Sequence, residues 1–164
     1  MAIFKIVSES YPTLADITKV IGYIIRESAT TRSFICTNGI YLYTPESMAK
    51  QIMLTKNLCG QTTGRQLYHI ILSYKHGEIY NNEQILDFIN RLFTLPDLYG
   101  HQSIAAVHMD TDQPHAHILF NSVNSFTGEK IDLTSIGFWR KQFMYLASYS
   151  RELYGYSVYF TIPL

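Results

Sequence analysis

Two strand-like runs, Gln102 to Asp110 and His115 to Val123, are separated only by Thr111-Asp112-Gln113-Pro114. Three polar residues and a proline between apolar runs are a chain reversal, so the two runs pair as one antiparallel hairpin. That pairing constrains everything near it. His115 and His117 are two apart, and on a strand their side chains leave the same face. With the hairpin centred on Asp112-Gln113, Asp110 falls opposite His115 and His108 falls opposite His117. One face then carries His108, Asp110, His115 and His117, with Asn121 four residues further along it. Cross-strand Cβ atoms lie about 5 Å apart, so three imidazoles can share one ion. A one-residue slip of either strand would scatter the set.

The rest of the chain alternates between two periodicities. Residues Ala2 to Val7 alternate as a first strand. Asp16 to about Ser28 reads as a helix with Ile17, Val20, Ile21, Ile24 and Ile25 on one stripe. Phe34 to Tyr43 contains Asn38-Gly39 between apolar flanks, the pattern of a second hairpin. Pro45-Glu46 opens a helix to about Leu58, with Gly60 as its stop. Gln66 to Tyr74 reads as a strand, and Asn81 or Asn82 caps a helix carrying Ile85, Phe88, Ile89, Leu92 and Phe93. After a turn around Thr127-Gly128, a last helix starts near 132–135. Ile136, Trp139, Phe143, Leu146 and Leu153 share one side of it, and Gly155 ends it. Tyr156 to Ile162 alternates as a closing strand. The expected class is α+β, sandwich-like: a mainly antiparallel central sheet with helices packed on it and the histidines on a central hairpin.

The 164 residues make one domain, 1–164. Hydrophobic residues at 47% against 16% charged mark a folding sequence. The formal net charge of zero excludes a uniformly basic nucleic-acid coat but leaves room for a local basic groove. Cys36 and Cys59 are too few for a disulfide scaffold and lack metal-site spacing, so they read as free thiols. Neither a signal peptide nor a run of about 20 apolar residues is visible, and the expected setting is soluble and cytoplasmic. The 13 tyrosines suit strand and core packing as well as base stacking.

Three neutral imidazoles bind a divalent metal and leave positions open for a substrate oxygen or water. Mn²⁺ or Mg²⁺ is expected, with Zn²⁺, Co²⁺ and Ni²⁺ also compatible. Asp110 is placed to orient a ligating histidine or to act as a general base. Two plainer accounts compete: a polar strand face toward solvent, and a structural metal site. A structural zinc usually fills four positions, and neither cysteine is near in sequence.

The string His108-x-Asp110-x4-His115-x-His117-x3-Asn121 resembles the third motif of conjugative relaxases, the DNA-nicking mobilisation proteins of the His–hydrophobic–His nuclease class. Ile70-Ile-Leu-Ser-Tyr74 with Gly77-Glu78, Gly100-His-Gln102, and Val123-Asn124 with Thr127-Gly128-Glu-Lys130 extend the likeness, which is strongest over residues 66–130. The nearest type is the mobilisation relaxase with a single catalytic tyrosine on a first helix. The resemblance implies Tyr23, in Val20-Ile-Gly-Tyr23-Ile-Ile-Arg26, as nucleophile, with Tyr11, Tyr41 and Tyr43 in reserve. At about 100° per residue Tyr23 lies off the apolar stripe, so it is not simply a core residue.

The implied activity is metal-dependent transesterification of single-stranded DNA at a plasmid or transposon transfer origin. The implied product is a 5′-phosphotyrosyl intermediate that can be rejoined. The resemblance also implies a bacterial cytoplasm, an N-terminal nicking domain of a longer protein, and an accessory DNA-binding protein of a relaxosome. Arg26, Arg65 and Lys75 are candidate phosphate contacts, with Arg140 and Lys141 behind them; any of these is equally a solvated charge. His69 shares a strand side with Leu67, Ile71 and Ser73 and reads as packed or hydrogen-bonded, His76 and His101 as turn residues, Trp139 as core. Three alternatives stay open: a replication initiator or transposase nuclease of the same chemistry, a DNA-binding module that no longer cleaves, and a metallohydrolase that forms no adduct.

Overall fold

Six strands form one sheet in a computed structural model that describes residues 2–74, 81–154 and 160–161. They are β1 (Ala2–Ile6), β2 (Ile35–Asn38), β3 (Leu67–Tyr74), β4 (His101–His108), β5 (His115–Asn124) and β6 (Phe160–Thr161). Their order is β2-β4-β5-β3-β1-β6, and every pairing is antiparallel except β1 with β6. The histidine-bearing pair β4–β5 therefore lies inside the sheet, as expected.

Helices cover both faces. On one, α1 (Leu14–Ile24) and α2 (Pro45–Leu58) pack through Ile17, Val20, Ile21, Ile24, Met48 and Ile52 onto Leu67, Ile104 and Leu119. On the other, α3 (Asn82–Phe93) and α4 (Ile136–Tyr154) bury Ile85, Phe88, Ile89, Trp139 and Leu146 against Ile70, Leu72, Ala105, Ile118 and Phe120. Each such large apolar side chain contributes about 1.5–3 kcal/mol on full burial. Helix starts follow from short polar residues that satisfy orphan amides. Thr13 and Asp16 form a capping box at α1, Asn81 and Gln84 another at α3, and Thr44 caps α2 ahead of Pro45.

Three expectations are corrected, and a fourth is seen only in part. Residues 34–43 are not a hairpin: only β2 forms, and Asn38 lacks the positive φ such a turn requires. Beyond Gly39 (φ 64°), Ile40 leaves the sheet for the α1–α2 core, and the Tyr41 backbone is held by the Gln51 side chain. Ile136 is exposed and not on the buried stripe of α4, whose centre is Trp139 with Nε1 donating to the Leu133 carbonyl at 2.7 Å. The closing strand is seen as β6 alone. Gly155, Tyr156, Val158, Ile162 and the Leu153 side chain lie outside the described residues, as do Lys75 and His76. His101 is buried, not a surface turn residue; its Nδ1 donates to the Asn121 carbonyl at 2.8 Å.

Gly100 is demanded by close approach. A Cβ there would lie 2.4 to 2.6 Å from the Asn124 side chain, whose Oδ1 accepts from the amides of Phe126 and Thr127. Moving Asn124 would undo the turn that follows β5. Gly100→Ala is expected to cost about 1–3 kcal/mol of stability, read as a lower melting temperature.

Candidate metal centre and active site

The β4–β5 register pairs His108 with His115 and Ala106 with His117. The sequence expectation was two residues off, because the connection runs from 109 to 114 and is longer than a tight turn. A shift of two keeps every side chain on its face. His108, His115 and His117 therefore still converge, on the α1 side of the sheet, with potential ligand atoms all within 4.8 Å of one another. Asp110, by contrast, falls in the connecting loop.

Each imidazole has its own hydrogen-bond partner. The last carbonyls of a helix have no partner within it, and the one at Ile24, the end of α1, accepts from His108 Nε2 at 2.7 Å. Since a carbonyl only accepts, the His108 proton sits on Nε2, and Nδ1 is left as a bare lone pair. His115 Nδ1 donates in the same way to the Gln113 carbonyl at 3.1 Å, leaving Nε2 bare. His117 Nδ1 lies 2.8 Å from His69 Nε2, and Tyr11 Oη lies 2.8 Å from His69 Nδ1. His108 Nδ1 and His117 Nε2 are buried without a hydrogen-bond partner. Two convergent orphan nitrogens beside a third bare one fit a divalent ion.

Burial favours the neutral form of His117, His69 and His108. Burial, then the neighbours His108, His69 and His115, push His117 down to about 3. Burial does most of the same to His69, which falls to about 4 although Glu9 opposes it. His108 is also lowered, by burial first, against the Ile24 hydrogen bond that favours its charged form. Neutral imidazole is the metal-binding form.

Tyr23 stands where α1 ends, off the buried stripe and 48% exposed. Its ring meets His117 edge-on at 5.3 Å and His108 at 6.0 Å between centroids. The Arg26 guanidinium lies over that ring, 4.3 Å from its centroid. Arg26 also donates to the Tyr23 carbonyl at 2.7 Å and to Asp110 Oδ2 at 2.8 Å. Asp110 thus reaches the site through Arg26 and hydrogen-bonds to none of the three histidines, contrary to the orienting role expected for it. Burial alone would raise its carboxyl, but the Arg26 hydrogen bond and charge outweigh that and hold it below the usual carboxylate range.

The remaining candidates are scattered. Asn121 shares the histidine face but is used locally, its Nδ2 donating to Gln102 and its Oδ1 accepting from the Val123 amide. Arg65 is committed to the carbonyls of Ser8 and Glu9 and lies over Tyr68. Lys75 lies outside the described residues. Tyr41 and Tyr43 are exposed on the loop into α2, and Lys141 pairs with Asp97 at 3.0 Å. A groove of about 1020 Å³ leads away from His117 and Tyr23, past Lys5, Ser8, Tyr11 and Lys19. Sequence reasoning missed the hydrogen bonds that the Ile24 and Gln113 carbonyls and His69 make to these rings. The carbonyls carry no side-chain signal, whereas the phase of His69 on β3 did place it on the correct side. It also missed Lys56, fully buried with Nζ on Ser122 Oγ at 2.9 Å and pushed down to about 7, chiefly by burial.

A mainly antiparallel sheet here presents three convergent imidazoles beside an exposed tyrosine, a donor set that fits a divalent ion. Residues 23–153 match the family described as Relaxase: MobA/VirD2-like, nuclease domain, and the chain belongs to that family. It is 24% identical to Protein TraI of Escherichia coli over 112 residues, 67% of this chain and 15% of that protein. It is 37% identical to Protein rlx of Staphylococcus aureus over 79 residues, 46% of this chain and 23% of that protein. The chain spans less than a quarter of the length of these relatives in the matched regions. No solved structure matches it. None of the helices described is long and apolar enough to cross a membrane.

Proposed function

We propose that this domain nicks single-stranded DNA at a transfer origin by tyrosine transesterification, with Tyr23 as nucleophile and His108, His115 and His117 holding a divalent ion. The observation that carries the reading is Tyr23 set edge-on to His117 beside the two orphan imidazole nitrogens. The ion, when bound, supplies positive charge to the non-bridging oxygens of the scissile phosphate. Tyr23 Oη forms the bond to phosphorus as the bond from phosphorus to the 3′ oxygen breaks. The phenolic proton is lost, the 3′ oxygen gains one, and the 5′ phosphate stays on the tyrosine. That ester keeps the free energy of the broken bond, so the reverse step rejoins the strand.

Arg26 does two jobs in this account. It holds the Tyr23 ring from one face, and it keeps a cation beside the place where phosphate charge gathers. Asp110 fixes Arg26 and is a positioning residue. Its lowered basicity makes it a poor acceptor for a phenolic proton. Asp110→Asn is therefore expected to slow single-turnover adduct formation only about threefold to tenfold; a general base would be worth ~10²–10⁴-fold. Mn²⁺ or Mg²⁺ is the ion proposed. The bacterial cytoplasm, a basic accessory DNA-binding protein and a single nicking domain over these residues complete the proposal.

The test uses end-labelled single-stranded oligonucleotides from candidate transfer origins, with Mn²⁺, with Mg²⁺ and with EDTA. A metal-dependent protein–DNA adduct that mass spectrometry maps to Tyr23 is expected. An adduct on another residue would move the nucleophile. Cleavage without an adduct would replace the mechanism with hydrolysis, and metal-independent binding without cleavage would leave a DNA-binding module.

A further inference from the structure

Tyr11 and His69 have no part in the mechanism so far, yet they form a hydrogen-bonded chain ending on His117. The protons of His108 and His115 are placed by carbonyls, which only accept. His117 is different, because its partner His69 can donate or accept, and so can Tyr11 beyond it. The chain therefore has two directions. In one, Tyr11 donates to His69 Nδ1 and His69 Nε2 donates to His117 Nδ1. His117 Nε2 then carries its proton and has no lone pair for an ion. In the other, His117 Nδ1 donates to His69 Nε2, and His69 Nδ1 donates to the Tyr11 oxygen. His117 Nε2 is then bare, and the Tyr11 hydroxyl has its own proton free to donate elsewhere.

We infer that Tyr11 and His69 orient His117 toward the ion, and that the Tyr11 hydroxyl so released donates to a DNA phosphate in the groove it shares with Tyr23. The phosphate contact rests on the nuclease function proposed above; the orientation of His117 rests only on the metal site. Lys5 and Lys19 line the same groove, and Asp16, also there, is tied to Thr13. Tyr11 is held in a left-handed conformation (φ 50°), which a non-glycine residue adopts only under constraint. The constraint is visible: Ser10 accepts from the Gln66 amide at 2.8 Å, and Arg65 grips the Ser8 and Glu9 carbonyls. Burial first, and then Glu9, pushes the Tyr11 phenol up to about 12, so it keeps the proton it is to donate.

Three measurements test this. Long-range ¹⁵N–¹H NMR of histidine-labelled protein loaded with Zn²⁺, chosen because it is diamagnetic, reads the tautomers. His117 protonated on Nδ1 and His69 on Nδ1 is expected; His69 protonated on Nε2 would overturn the inference. Zn²⁺ titration by calorimetry should show His69→Leu losing roughly 10–100-fold in affinity. His69→Gln, whose amide oxygen can accept from His117 Nδ1, should recover most of it. Equal affinity of wild type and His69→Leu would overturn the orienting role. No Zn²⁺ uptake by the wild type would overturn the metal site itself. Single-stranded oligonucleotide binding by fluorescence anisotropy, in a Tyr23→Phe background that cannot form the adduct, isolates Tyr11. Adding Tyr11→Phe should weaken binding about tenfold with Zn²⁺ and leave it unchanged in EDTA, as expected for one hydrogen bond to a charged group. No effect in either condition would remove the phosphate contact, and an equal effect in both would overturn the release of the Tyr11 hydroxyl by the ion-set direction of the chain.

Discussion

Tyr23→Phe is expected to abolish the covalent protein–DNA adduct, lowering its rate by roughly 10³-fold or more, as loss of a nucleophile does. Folding and metal binding should hardly change. Tyr23 is half exposed and off the α1 stripe, so its hydroxyl supports no packing, and a phenyl ring still stacks under Arg26. A denaturing gel measures the adduct, and calorimetry with a thermal melt measures the rest. The variant also decides among the tyrosines. Tyr41 and Tyr43 sit on the loop into α2, and the Tyr11 oxygen is occupied with His69 and holds its proton to high pH. An undiminished adduct in Tyr23→Phe would return the role to one of them. Metal-dependent cleavage that persists without an adduct would assign the attack to water.

The histidine face was legible for a reason that also limits what could be read. Face depends on the parity of residue number, so His108, His115 and His117 share a face in any register displaced by an even number of residues, and a displacement of only two leaves them close enough to converge. Register depends on the turn, and residues 109–114 form a longer loop than Asp112-Gln113 suggested. Asp110, which needed the tighter turn, was misplaced accordingly and meets Arg26 instead. The same limit explains Asn38-Gly39. Local turn chemistry there was overridden by a tertiary contact, the docking of Ile40 between α1 and α2. The stripe of α1 was read correctly at Ile17, Val20, Ile21 and Ile24, with Tyr23 outside it, but the helix runs from Leu14 to Ile24 and not to about Ser28, and Ile25 is its partly buried C-cap. What the sequence could not show is that the end of α1 supplies the Ile24 carbonyl that orients His108. Orphan carbonyls exist at every helix end, and only the three-dimensional path selects which side chain uses them.

A divalent ion is expected to raise the melting temperature, and His117→Ala to remove that rise. In the metal-free protein, His108 Nδ1 and His117 Nε2 are buried with no partner, a state that costs folding free energy. An ion that binds only the folded site stabilises it by RT ln(1 + [L]/Kd), about 2.7 kcal/mol at a hundred times Kd. For a domain of this size that is about 5–10 °C. The metal-free melting temperature of His117→Ala is a poor readout, because the variant loses one orphan nitrogen and strips His69 Nε2 of its partner. The ion-induced difference is the clean one. Acid provides a second axis with a definite sign. His117 is held near 3 and His69 near 4 in the fold, against an ordinary 6.5, chiefly by burial. Between those values the unfolded chain binds more protons than the folded one. Their neutral forms are fully compatible with folding above pH ~6.5, and stability falls as the pH drops from there toward 4. Each group contributes up to about 1.4 kcal/mol per pH unit in that window. Denaturant melts in EDTA from pH 7 to 4.5 should therefore show a shallower acid loss for His117→Ala than for wild type. Parallel curves would mean that His117 takes up protons freely in the folded protein, and the desolvated, ion-ready imidazole would have to be abandoned.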